Sequence, residues 1–327
     1  MSLKRPVASI SATALAAILM AAPANADSVK AVSTIGMIAD VVANVGGECV
    51  DSITLMGAGV DPHLYQASAN DVKTFQAADV IFYSGYSLEG QLGDVLANIS
   101  ERVPTVALSP ASIEPANLIT VEDIYGIDPH LWMDANLWAK TVPTIAEALK
   151  EANAGCGTTI DANAEAYAGK LLALHDWVAA SIATVPEGQR VLVTAHDAFG
   201  YYGRAYGLDE VGIQGISTES EASIADIRAT VDSILERKVP AVFVESTINP
   251  RTINAVIDAA KNEGHDVVVG GELFSDAMGE DGTVGGTYIG MIYENTVSIT
   301  TALGGTPLPL PAELKAWGEN WELAAAE

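Results

Sequence analysis

The apolar and polar positions of this chain alternate between two kinds of pattern. Short runs rich in β-branched residues, at 29–35, 50–55, 80–83 and 105–108, read as strands. Helical stretches lie between them at 37–45, 70–77 and 88–99. Another follows Asp134 to about position 152, where Pro143 bends or restarts it. The alternation returns in the second half, with strands at 190–194, 212–216, 241–244 and 267–269. Helices are expected there at 199–206, 224–237, 250–262, 288–303 and 311–323, and a Gly-rich loop at 270–286. Strands alternating with helices predict an α/β fold of mostly parallel sheets flanked by helices.

Between the halves, 161–185 is the longest helical pattern. Tyr167, Leu171, Leu174, Val178 and Ile182 recur three and four residues apart, which is one face of a helix. Such a length exceeds the globular mean and reads as a rigid connector. The expected organisation is an N-terminal α/β lobe over 27–158, a connecting helix over 159–187 and a C-terminal α/β lobe over 188–327.

The first 26 residues read differently. Lys4 and Arg5 precede an apolar run that ends in Pro23-Ala24-Asn25-Ala26, which fits a signal peptide cleaved after Ala26. No Cys stands at the cleavage point to carry a lipid, so a soluble, exported, periplasmic product is expected. Two cysteines, Cys49 and Cys156, form no CxxC motif; in an oxidising compartment they could pair, or each could be a small buried hydrophobe.

Charge changes the picture mainly by exclusion. Lys plus Arg number 16 against 42 Asp plus Glu, a net charge of −26. Nucleic acid is ruled out as a partner, because a phosphate backbone needs a basic footprint. A cationic ligand is permitted but not demanded.

Candidate chemistry sits in five histidines. The tripeptide Asp-Pro-His occurs twice, as Asp61-Pro62-His63 and Asp128-Pro129-His130, each after Gly and a β-branched residue. Proline stiffens each loop and drives the preceding Asp out of helical space. The carboxylates of Asp61 and Asp128 could then set the tautomers of the rings. His196 ends a strand, at the edge where open α/β sheets bind ligands, and Asp276 lies in the Gly-rich loop. His175 and His265 lack such presentation and are not expected to be ligands. Three His and one Asp on four loops fit a mononuclear transition-metal site.

The chain resembles the substrate-binding proteins of bacterial manganese, zinc and iron ABC transporters, the cluster A-I, TroA-like family. The resemblance runs from about Val29 to Leu303. It is carried by Gly59-Val60-Asp61-Pro62-His63-Leu64-Tyr65, Asp128-Pro129-His130-Leu131-Trp132-Met133-Asp134, Val193-Thr194-Ala195-His196-Asp197-Ala198-Phe199-Gly200-Tyr201, Gly215-Ile216-Ser217-Thr218-Glu219, Val242-Phe243-Val244-Glu245-Ser246 and Phe274-Ser275-Asp276. It implies metal in a cleft between two lobes, with His63, His130, His196 and Asp276 as ligands. Zinc members often carry a long His-rich loop between the first two ligands; here the interval contains no further His. The resemblance is therefore to the manganese-type branch, with Mn2+ as transported ligand and Zn2+ next. It also implies an ABC permease in the inner membrane as partner, a monomer, and no enzymatic activity. Two alternatives remain at this point. One is an exported metal hydrolase, with Glu245 as general base. The other is a binder of a metal chelate in the same scaffold.

Overall fold

A computed structural model of the chain describes residues 28–121 and 126–323. The expected signal peptide and its cleavage point lie outside the described residues. Among those described, no helix is long and apolar enough to cross a membrane.

Four strands form the first sheet: β1 (Val29–Ile35), β2 (Val50–Met56), β3 (Val80–Tyr83) and β4 (Thr105–Ala107). They pair in the order β2-β1-β3-β4, all parallel. Central β1 is buried at every position but Lys30, as expected for a strand covered by helices on both faces. The order places the carboxyl ends of all four strands, and the loops that follow them, at one edge.

The second half holds β5 (Val191–His196), β6 (Asp209–Gln214), β7 (Ala241–Glu245) and β8 (Val268–Leu273). β5 pairs parallel with β6, and β7 pairs parallel with β8. β5 and β7 lie side by side. Two differences from the sequence pattern have physical causes. β8 runs through Gly270 and Gly271 to Leu273, so the expected Gly-rich loop starts only at Phe274. A Cβ at Gly270 would lie 2.7 Å from the Phe243 ring, so glycine there serves close packing within a sheet. The helical stretch after Asp134 is two helices, Ala135–Ala139 and Thr141–Ala152. Pro143 falls in the first turn of the second, where a missing N–H costs nothing.

The long helix spans Gly157–Ile182, 26 residues, or about 39 Å. Its early part is tied to the first lobe: Tyr167 Oη donates to Asp40, and Asn163 Nδ2 donates to the Val45 carbonyl at 3.2 Å. Its late part is tied to the second: Trp177 Nε1 donates to the Leu308 carbonyl at 2.8 Å, and the Leu308 N–H donates to Ser181 Oγ at 3.1 Å. One apolar core runs without a break from the first sheet, through this helix, to helix Tyr288–Ala302. A smaller core fills the second lobe between β5, β7 and helices Ile224–Arg237 and Arg251–Asn262.

Cys49 and Cys156 are joined in a disulfide across 107 residues, which pins the start of the long helix to the first lobe. Replacing both by Ser should lower the unfolding free energy by about 2–4 kcal/mol in denaturant titration; an unchanged midpoint would contradict the bridge's role. The continuous core and helix resist hinge bending, so solution scattering with and without bound metal should nearly superimpose. A wide lobe closure would contradict that.

Candidate metal centre

Each of the four expected ligands stands just beyond a strand or at its end, save His130, which sits on its own stiff turn. His63 follows β2, His196 is the last residue of β5, and Asp276 follows β8 by three positions. The repeated Asp-Pro-His proves to be a repeated turn. Asp61 Oδ1 accepts from the His63 main-chain N–H at 2.9 Å, and Asp128 Oδ1 does the same for His130 at 2.9 Å. Proline holds the Asp extended, so its side chain reaches back over the N–H two residues on.

The structure brings His63, His130, His196 and Asp276 together. One ligand atom from each lies within 4.8 Å of all the others. All four residues are at most 1% exposed. His63 Nε2 is 3.4 Å from His130 Nε2 and 3.7 Å from Asp276 Oδ2. His130 Nε2 is 3.3 Å from Asp276 Oδ1, and His196 Nε2 is 3.2 Å from Asp276 Oδ2. A cation about 2.1 Å from each of four donors would set them about 3.4 Å apart, so these spacings suit a shared ion. Both Asp276 oxygens and His196 Nε2 are buried and make no directed hydrogen bond. Buried polar atoms without such a partner are rare and call for an explanation, which a cation supplies.

The outer ring nitrogens of two ligands are also held. His130 Nδ1 lies 2.8 Å from Asp128 Oδ1. Glu245 uses both its oxygens on His196: Oε1 accepts from the main-chain N–H at 2.8 Å, and Oε2 is 2.5 Å from Nδ1. These contacts leave Nε2 of both rings facing the centre. Asp61 differs, since its second oxygen accepts from Thr218 Oγ1 at 2.6 Å, across to the other lobe.

Burial and charge compete at every group. Burial opposes a charge on Asp276, but His196 and His130 outweigh it and hold the carboxyl well below the usual range. Burial likewise opposes protonation of His130, yet Asp276 and Asp128 push it up to about 9. His196 is raised well above its ordinary value: Glu245 and Asp276 overcome the burial. For His63 burial wins over Asp276 and pulls the ring down to about 3.

The two remaining histidines stay outside the cluster. His175 Nδ1 faces Asp134 Oδ1 at 3.4 Å, and His265 Nε2 lies 2.8 Å from the Val239 carbonyl. Sequence reasoning missed the aromatic brace behind the site. Trp132 Nε1 donates to the Ser275 carbonyl at 2.9 Å, Tyr288 Oη donates to the Trp132 carbonyl at 2.6 Å, and the Trp132 and His130 rings meet edge-on. The signal available was Trp132 itself, two residues after a ligand.

Residues 31–302 match the family described as "zinc-uptake complex component A periplasmic", and the chain belongs to that family. It is 44% identical over 271 residues to the manganese-binding lipoprotein MntA of Bacillus subtilis, covering 83% of this chain and 88% of that one. It is 43% identical over 272 residues to the zinc-binding protein TroA of Treponema pallidum, covering 83% and 88%. The solved structure of that periplasmic zinc-binding protein superposes with a TM-score of 0.82, over 84% of this chain and 99% of that one.

His130, held protonated up to about pH 9, and His196, raised as well, must release their protons to ligate a cation, so affinity should rise as pH rises from neutrality. Calorimetry at pH 7 in buffers of different protonation enthalpy should show proton release on binding; buffer-independent heats would contradict it. Glu245→Ala should weaken binding about 10–100-fold while leaving the fold intact, as loss of a partner to a ligating His does. Unaltered affinity would remove Glu245 from the site.

Proposed function

We propose that the protein captures a divalent transition-metal cation in the periplasm and delivers it to an ABC permease in the inner membrane. The observation that carries this reading is the buried convergence of three imidazoles and one carboxylate. The ligands are His63, His130, His196 and Asp276, with Asp128 and Glu245 orienting two of the rings and Asp61 the first loop. The protein reaches the periplasm through a signal peptide cleaved after Ala26 and works as a soluble monomer.

Manganese is favoured ahead of zinc. Zinc binds such nitrogen and oxygen donors more tightly, so manganese needs more donors than four. Asp276 supplies one: Oδ1 faces His130 while Oδ2 faces His63 and His196. The two relatives named for manganese and for zinc are nearly equally similar, so likeness does not separate the metals.

The protein works as a binder, without catalysis. A hydrolase needs an open metal position and a general base beside the bound water. Here four residues already converge, and both oxygens of Glu245, the best base candidate, are taken up by His196. A chelate is disfavoured because ligand atoms within 4.8 Å of one another leave room for a bare ion only.

Elemental analysis of protein recovered from its native periplasm should find about one manganese per chain. His196→Ala should fold normally but lose more than about 100-fold in affinity, beyond the loss expected for an outer partner. Unchanged stoichiometry and affinity in that variant would overturn the site.

A further inference from the structure

Ligands that are at most 1% exposed cannot be reached by an ion in bulk water unless something moves. Among the described residues, several polar links between the lobes near the site are deep and aromatic. Trp132 binds the Ser275 carbonyl, Tyr288 binds the Trp132 carbonyl, and Tyr201 Oη donates to the Asp128 carbonyl at 2.9 Å, all fully buried. Among the described residues, a link of another kind lies beside His63. Thr218 Oγ1 donates to Asp61 Oδ2 at 2.6 Å, joining two loops at the rim.

A cavity of about 220 Å³ opens beside this bond, lined by Asp61, Leu64, Thr218, Glu221 and Thr247 among others. Leu64 is the neighbour of His63, and Thr247 Oγ1 lies 3.3 Å from the hydroxyl of Ser275, the neighbour of Asp276. The cavity thus borders the His63 loop directly, and the Asp276 loop lies one contact behind Thr247. The segment carrying Thr218 joins β6 to helix Ile224–Arg237 and has no strand or helix of its own. Its anchor is Gln214 Nε2, which donates to the carbonyls of Thr218 at 3.0 Å and Ser220 at 2.6 Å. The long helix and shared core oppose a large lobe motion, which puts the burden of opening on a loop.

Resting on the capture reading, we propose that the Thr218–Asp61 hydrogen bond is a latch between the lobes that gates passage of the cation through this cavity. Opening it frees the rim without disturbing the core. Thr218 closes the rim and touches no cation itself.

The test uses the mature protein with manganese and zinc, comparing wild type, Thr218→Val and Thr218→Ser. Stopped-flow mixing gives the association rate, and a chelator chase gives the dissociation rate. Removing a hydrogen bond to a carboxylate should make Thr218→Val exchange metal at least about tenfold faster in both directions, with Kd little changed. Thr218→Ser, which keeps the hydroxyl, should return both rates to wild type. Equal rates in wild type and Thr218→Val would overturn the latch. So would faster dissociation alone with a matching loss of affinity, because Thr218 would then only steady the site. A wild-type protein that takes up neither metal would overturn the capture reading and the latch with it; a wild type that binds while Thr218→Val behaves identically overturns the latch alone.

Discussion

One carboxylate, Asp276, buried among three imidazole rings, sets the terms for the rest of the molecule. A lone buried charge costs several kcal/mol, so it persists only where opposite charge meets it. Here the rings of His196 and His130 supply that, and their own partners, Glu245 and Asp128, hold them in place. The arrangement draws on both lobes, since His63 and His130 come from the first and His196 and Asp276 from the second. Neither lobe alone can satisfy Asp276. A cation bound there would compete with the ring protons for the same inward nitrogens, which ties the proposed occupancy to acidity.

That arrangement asks for lobes that keep their distance. The long helix and the core running through it answer this, with hydrogen bonds to the first lobe early in the helix and to the second lobe late. The disulfide adds a covalent tie at the helix start. The spacing of the three rings and Asp276, near that around a shared ion, is therefore a property of the fold.

Much of this was legible in the residue order because it depends on local chemistry. Asp-Pro-His reads as a stiff turn from its three residues alone, and both copies form it. The period of the long helix and the parallel alternation survive because each element buries its own apolar face. A strand end alone made His196 no more than a candidate, since a His there is more often structural; the two Asp-Pro-His turns and the resemblance raised it. Asp276 was harder, since a lone loop Asp is usually solvated; the resemblance in Phe274-Ser275-Asp276 raised it above its neighbours. Long-range pairings had no local signal. Nothing in the sequence near Asp61 points to Thr218, Trp132 gives no hint of Ser275, and the cysteines leave their pairing open. β8 was cut short because Gly270 and Gly271 read as loop residues, whereas Phe243 needs the space that a side chain at Gly270 would fill.

The most direct test of the central claim is a crystal structure of the manganese-loaded protein with an anomalous difference map. One strong peak should lie among the Nε2 atoms of His63, His130 and His196, with both oxygens of Asp276 as ligands. A peak elsewhere, or an ion held mainly by water with Asp276 turned away, would contradict it.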